Sequence, residues 1–145
     1  MAGAFEWLAT VSAALFAGGA LYVSVVEHPA RMRAGPAVAV AEFRLSYRRA
    51  TPWQAGAAAA CLVSGMLAAW LAADLAWALG ALATGAVIPY TLLVMMRTNR
   101  QLLAGGPLPD GEVLALLSRW ARLHWVRTLL GTLGLLVLVS RAVAR

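Results

Sequence analysis

The chain has no lysine, one cysteine, two histidines and six acidic residues in 145, and each shortage removes a class of protein. A single thiol, Cys61, cannot close an intramolecular disulfide, and with no second thiol there is no Cys-x-x-Cys redox or zinc chemistry. Cys61 lies in an uncharged stretch and reads as a packing residue. No Walker loop, nucleophile elbow or dinucleotide glycine fingerprint is present. Gly18-Gly19 and Gly131-x-x-Gly134 suit close helix packing better than phosphate binding. Charge is scarce, at 12% of residues against 62% hydrophobic, and the mean hydropathy is +0.76. That balance lies outside soluble domains and marks an integral membrane protein. The net charge of +6 therefore does not point to nucleic acid, since no soluble domain exists to present a basic surface.

What is abundant is uncharged sequence. The runs Trp7 to Val26, Trp53 to Ala73 and Leu75 to Met96 each have about the 20 residues that cross a ~30 Å hydrocarbon core as a helix. A fourth run, Ala121 to Ser140, reaches that length only by including Arg122, His124 and Arg127. The expected spans are TM1 about 5–27, TM2 about 52–73, TM3 about 75–97 and TM4 about 120–140, in one transmembrane domain covering 1–145 without internal repeats. TM1 is expected to be retained rather than cleaved as a signal, because no basic residue precedes it, Glu6 does, and its apolar stretch is too long. Pro29 predicts an end to TM1 near Glu27 and His28. Phe43 and Tyr47, with Arg44 and Arg48 beside them at the same spacing, predict a short amphipathic cytoplasmic helix over 37–50. Thr51-Pro52 reads as an N-cap and first helical residue opening TM2. Pro89 predicts a kink in TM3 that frees a carbonyl near Gly85. Gly105 to Asp110 reads as a turn, after which one helical pattern runs from Glu112 into TM4. Trp7, Trp53, Trp70 and Trp77, near span ends, read as interfacial belt residues, with Trp120 and Trp125 open between belt and pocket wall.

The arginines report topology. Nine lie on segments 27–52 and 97–122, against Arg141 and Arg145 on the opposite side, where the TM2 to TM3 link has only Asp74. By the positive-inside rule both long segments face the cytoplasm of a cell (inner) membrane and both termini are non-cytoplasmic. Membrane lipids are the expected surroundings, with the arginine-rich segments near acidic headgroups, and four helices alone make homo-oligomerisation unsurprising.

His124 and Arg127 are the candidate centre, because ionisable groups at membrane depth are costly and usually face the protein interior. Trp120, His124, Arg127, Gly131 and Gly134 fall on one helical face, whose glycines invite a neighbouring helix and turn the histidine inward. With TM1 ending on the same side, the chain is expected to gather Glu27, His28, Arg31, Tyr47, Arg97, Asn99, His124 and Arg127 at one end of a four-helix transmembrane bundle of the all-α class.

The stretches Gly19 to Arg31, Phe43 to Ala50, Thr98 to Leu103 and Trp120 to Thr128, with their Glu27-His28-Pro29 and Leu123-His124-x-x-Arg127-Thr128 elements, resemble the anthrone oxygenase-like membrane family, formerly a domain of unknown function. The resemblance implies a four-helix membrane protein that oxidises a hydrophobic phenolic or polycyclic aromatic compound with dioxygen and no cofactor. Members often have proline where this chain has Arg97, so no role passes to that residue. The residues fit such chemistry. A histidine is a base suited to neutral pH, and an arginine that keeps its proton can hold an enolate oxygen. His124 and Arg127, helped by His28 and Glu27, are the expected catalytic groups. Tyr47, Arg31, Asn99, Trp120 and Tyr22 are the expected substrate contacts, with Trp125 as a further aromatic wall. A metal or haem held by His28 and His124 is the alternative cofactor reading, and a non-enzymatic lipid-binding or interaction subunit is the third.

Overall fold

Every long apolar run becomes a helix, because a backbone N–H in hydrocarbon has no water to bond and must find its carbonyl along the same segment. The computed structural model describes residues 2–104 and 106–144, so Gly105 of the expected turn and Arg145 of the tail lie outside the described residues. Four helices, α1 (Ala2–Arg33), α2 (Pro36–Ala72), α3 (Leu75–Leu103) and α4 (Asp110–Val143), are each long and apolar enough to cross a membrane, and the described residues contain no strand. The chain is thus an all-helical, multi-pass membrane bundle with lipid-facing side chains such as Leu15, Val63, Leu79, Leu93, Leu129 and Leu133.

Short connections force neighbouring helices antiparallel. Gly35 joins α1 to α2 at a φ of +89°, a conformation that suits glycine. Between α2 and α3, Ala73 adopts a left-handed φ of +50°, and the Asp74 side chain caps α3 by accepting from Ala76 N at 3.1 Å. Asp74 also pairs with Arg141 at the end of α4, which ties the α2–α3 connection to the last turn of the chain. α1 packs on α2 and α4, and α3 packs on the same two helices, giving an up-down-up-down ring.

Two prolines act differently from the sequence expectation. Pro29 does not end α1. The backbone opens by one residue over Val23–Glu27, where His28 N donates to Val23 O, and the helix continues to Arg33. This π-turn supplies slack just before the residue that lacks an N–H. Nor is 37–50 a separate helix, since it is continuous with the second span through Pro52. Thr51 is not an N-cap; its hydroxyl donates to Tyr47 O at 2.7 Å. Arg48, whose carbonyl Pro52 cannot bond, lies on the exposed side of the helix with Pro52 itself, so the interruption falls outside the packed core. In α3 the predicted disturbance is present, as a break at Ala86 followed by a π-turn over Thr91–Met95. The unbroken helix from Asp110 into the fourth span is also found.

Small residues set the helix spacing. A Cβ on Gly134 would lie 2.7 Å from Gly80 O, and one on Gly131 would lie 2.6 Å from two carbons of the Phe16 ring. The expected inward face of α4 is therefore the packed one. Trp7, Trp53 and Trp70 are exposed, but Trp77 is fully buried against Ala13, Cys61 and Leu138, a core residue rather than a belt residue. The α3–α4 connection end of the bundle has its own aromatic and aliphatic core around Phe43, Met95, Leu102, Leu117 and Trp120. A second small core is centred on Phe16, Ala20, Ala58 and Val87. The polar residues gather between these two.

Candidate functional site

His124 and Arg127 both turn inward on α4 and are buried. The histidine ring stacks on Trp120, with centroids 4.6 Å apart and planes at 27°. Its Nδ1 lies 3.1 Å from Ser24 Oγ, which the π-turn of α1 brings to α4. Ser24 Oγ is 2.8 Å from Thr128 Oγ1, and Thr128 Oγ1 is 3.2 Å from Ala20 O and 3.3 Å from His124 O. A carbonyl can only accept, so where the Thr128 hydroxyl donates to one it accepts from Ser24 and leaves Ser24 to accept from the ring. With the donors in this order a neutral His124 carries its proton on Nδ1, which leaves Nε2 as the acceptor on a ring that lines a cavity.

Arg127 is 9% exposed and donates from Nη2 to Gln54 Oε1 at 2.7 Å. Its guanidinium carbon lies 5.6 Å from the Phe16 ring centroid, while Nε has no hydrogen-bond partner. Among the described residues, no carboxylate forms an ion pair with it. A buried cation held by a neutral amide is an incomplete arrangement, since removing a charge from water costs several kcal/mol unless an opposite charge or full hydrogen bonding offsets it.

The other buried arginine differs in having carboxylate partners, although its Nη1 has no hydrogen-bond partner. Arg31 donates to Glu27, to Glu42 and to Ser46 Oγ, and its guanidinium lies over Phe43 and Trp120 at 5.4 Å and 5.9 Å. It ties α1 to α2 and consumes the Glu27 carboxylate. His28 is buried beside Trp120, with ring centroids 5.7 Å apart, but does not line the cavity next to His124. Asn99 is buried and donates to Tyr47 Oη at 2.9 Å, positioning that tyrosine from behind. Tyr22 is 56% exposed and lines neither of the two cavities around Arg127, so it does not join the expected substrate contacts. It lies on the outer side of α1, whereas Ser24 faces α4. Arg97 and Trp125 are likewise exposed and outside the cluster.

Two cavities meet at Tyr47, Thr51, Gln54 and Arg127. One, of about 320 Å³ with its open mouth, is walled by Glu27, Arg31, Phe43, Trp120 and His124. The other, of about 500 Å³ on the same measure, lies between α2 and α3 and reaches Phe16. Most of that space is open mouth: the enclosed parts are about 30 Å³ and 110 Å³, so a ring system would enter only in part unless side chains move aside. Ser24, Gln54, Phe43 and Thr128 are functional neighbours that the sequence reading did not select. Gln54 had a visible signal, being the one amide in the uncharged run Trp53 to Ala73. Ser24 had none, because its approach to α4 depends on the π-turn. Among the described residues, no three or more His, Cys, Asp or Glu side chains are grouped to hold a metal ion.

The fold and the site define a class: a four-helix membrane bundle whose interior holds a buried histidine, an arginine without a carboxylate partner and aromatic walls beside two small cavities. The chain belongs to the anthrone oxygenase family, whose description it matches over residues 43–137, about two thirds of its length. Phe43, Tyr47, Gln54, Asn99, Trp120, His124, Arg127 and Thr128 fall inside the matched region, while Ser24, Glu27, His28 and Arg31 lie before it. No curated protein and no solved structure matches the chain. Membership supports an oxygenase-type function.

Proposed function

We propose that the protein is a membrane oxygenase that converts a hydrophobic, anthrone-like phenol to the corresponding quinone with dioxygen, using a histidine base and an arginine anion holder. The observation that carries this reading is Arg127, a buried cation with no carboxylate partner, one turn from a histidine whose hydrogen bonds leave Nε2 as a proton acceptor. In an anthrone the ring C–H is acidified by the carbonyl and phenols. His124 Nε2 takes that proton, and the electron pair moves onto the carbonyl oxygen, which Arg127 stabilises as an enolate. The electron-rich enolate reduces dioxygen and binds it at the same carbon as a hydroperoxide. Loss of water from that carbon leaves the quinone, so one anthrone and one dioxygen give one quinone and one water.

Trp120 and Phe43 meet edge to face, with centroids 5.1 Å apart, and form an aromatic wall of the cavity beside His124. Arg31, Glu27 and Asn99 act in this reading as positioning residues, since Arg31 holds Glu27, Glu42 and Ser46 and Asn99 holds Tyr47. His28 packs against Trp120. A metal or haem on His28 and His124 is the competing cofactor reading. Its donor set is poor, because both rings rest on Trp120 and the adjacent Glu27 is taken by Arg31.

The test is oxygen uptake and quinone absorbance with a dihydroxyanthrone, on protein reconstituted in lipid nanodiscs beside metal analysis of the same sample. Turnover by metal-free protein that falls at least 100-fold in His124→Ala, and comparably in Arg127→Gln, is the expected result. Turnover that survives His124→Ala, or that tracks bound metal, would overturn it.

A further inference from the structure

We infer that the cavity between α2 and α3 is a lipid-side binding site through which a compact hydrophobic phenol reaches Arg127 from within the bilayer; only the identity of the occupant rests on the oxygenase reading. The rim includes Thr51 and Ala55 of α2 and Leu92 of α3, all exposed. Ala55 and Leu92 fall inside the uncharged runs Trp53 to Ala73 and Leu75 to Met96, so the mouth faces acyl chains rather than water. The α3 wall is also where that helix is least regular, with the break at Ala86, Pro89 and the π-turn Thr91–Met95 all along the lined stretch. Such interruptions are tolerated at membrane depth where the backbone lines a cavity, and π-turns recur at functional sites.

Arg127 closes the floor and is the independent observation that selects the occupant. It is nine-tenths buried and its Nε is unbonded. A cation at the bottom of a lipid-facing apolar cleft favours a molecule whose acidic oxygen leads and whose apolar body follows. A phospholipid does not fit this order, because its headgroup stays at the interface while its chains occupy the core. A fused-ring phenol does. A fatty-acid carboxylate shares the leading oxygen chemistry and is separated from the phenol by experiment.

A bimane fluorophore on Leu92→Cys in a Cys61→Ala background, in nanodiscs, reads the mouth directly. Quenching by brominated acyl chains but not by iodide is expected, and the reverse would overturn the assignment. A dihydroxyanthraquinone should relieve the lipid quenching, with a half-saturation at least ten-fold weaker when Arg127→Gln is added. On protein without the label, Ala55→Trp should weaken quinone binding at least ten-fold, whereas Ala59→Trp, one turn along the exposed side of α2 and outside the cleft, should not. Relief by oleate without relief by the quinone, or full quinone affinity in Ala55→Trp, would sink the inference. Quinone relief in a protein without anthrone turnover would uphold the binding site and remove the oxygenase reading alone.

Discussion

The His124 tautomer rests on one hydroxyl. If Thr128 donates to a carbonyl, Ser24 must point its proton at Thr128, and the ring must keep its own proton on Nδ1. Thr128→Val removes the acceptor for Ser24, freeing that hydroxyl to donate to Nδ1 and moving the ring proton to Nε2. With only two histidines, ¹⁵N-histidine NMR resolves both rings, and a His28→Ala sample assigns them. The wild type should show Nδ1–H at His124, and Thr128→Val should reverse it with loss of turnover. An unchanged tautomer in the variant would refute the donor order. Gln54 offers a matching test on Arg127. Gln54→Leu removes the acceptor of a buried guanidinium and should lower stability by about 2 kcal/mol in detergent unfolding. Gln54→Glu should retain the fold but lose turnover at least ten-fold, because a permanent carboxylate would occupy the cation meant for the enolate. The hydroxyls escaped the sequence reading for a physical reason: they carry no charge and can bond their own helix, so in a membrane span they pass as ordinary packing, whereas the Gln54 amide did leave a signal.

Helices here are spaced by glycines and steered by prolines. Gly131→Ala would press a methyl group into the Phe16 ring, and that ring lies against the Arg127 guanidinium. It should cost roughly 1–3 kcal/mol and depress turnover together. Gly18→Ala is the control, since nothing lies within 4 Å of its added Cβ, and it should leave stability equal or raised by up to about 1 kcal/mol. Thermal unfolding of both variants in one detergent compares them. The glycine face of α4 was readable from spacing alone, because helical periodicity places residues on a face regardless of partners. The prolines were not readable in the same way. The i→i+4 bonding rule foretold a helix end at Pro29 and a helix start at Pro52. Packing against neighbours instead kept α1 and α2 continuous, with a π-turn absorbing one interruption and an exposed helix side the other.

The whole molecule has one chemically distinct end. Arg33, Arg44, Arg48, Arg49, Arg97, Arg100, Arg119 and Arg122 surround the end holding the α1–α2 and α3–α4 connections, and the opposite end holds Asp74 paired with Arg141. We infer that the arginine-rich end faces the cytoplasm of the cell membrane. A C-terminal green fluorescent protein fusion should then be dark and a C-terminal alkaline phosphatase fusion active. Bright fluorescence would reverse the orientation and reassign the arginines to anion binding. In the inferred orientation, His124 and Arg127 lie near the cytoplasmic edge of the apolar band, with one cavity beside the Arg31 cluster and the other open toward lipid.

Composition and hydropathy determined the membrane class, the four spans and the inward face of α4, because burial in hydrocarbon leaves a chain few choices and helical spacing is local. They also singled out His124 and Arg127, since charge inside a span has a cost that sequence alone displays. Which groups meet those two was decided only by tertiary packing. Ser24 reaches α4 across 100 residues, Gln54 reaches Arg127 across 73, and Tyr22, two residues before Ser24, is turned outward. A one-residue widening of α1 and the angle between packed helices set those outcomes, and neither is encoded in the periodicity of any single segment.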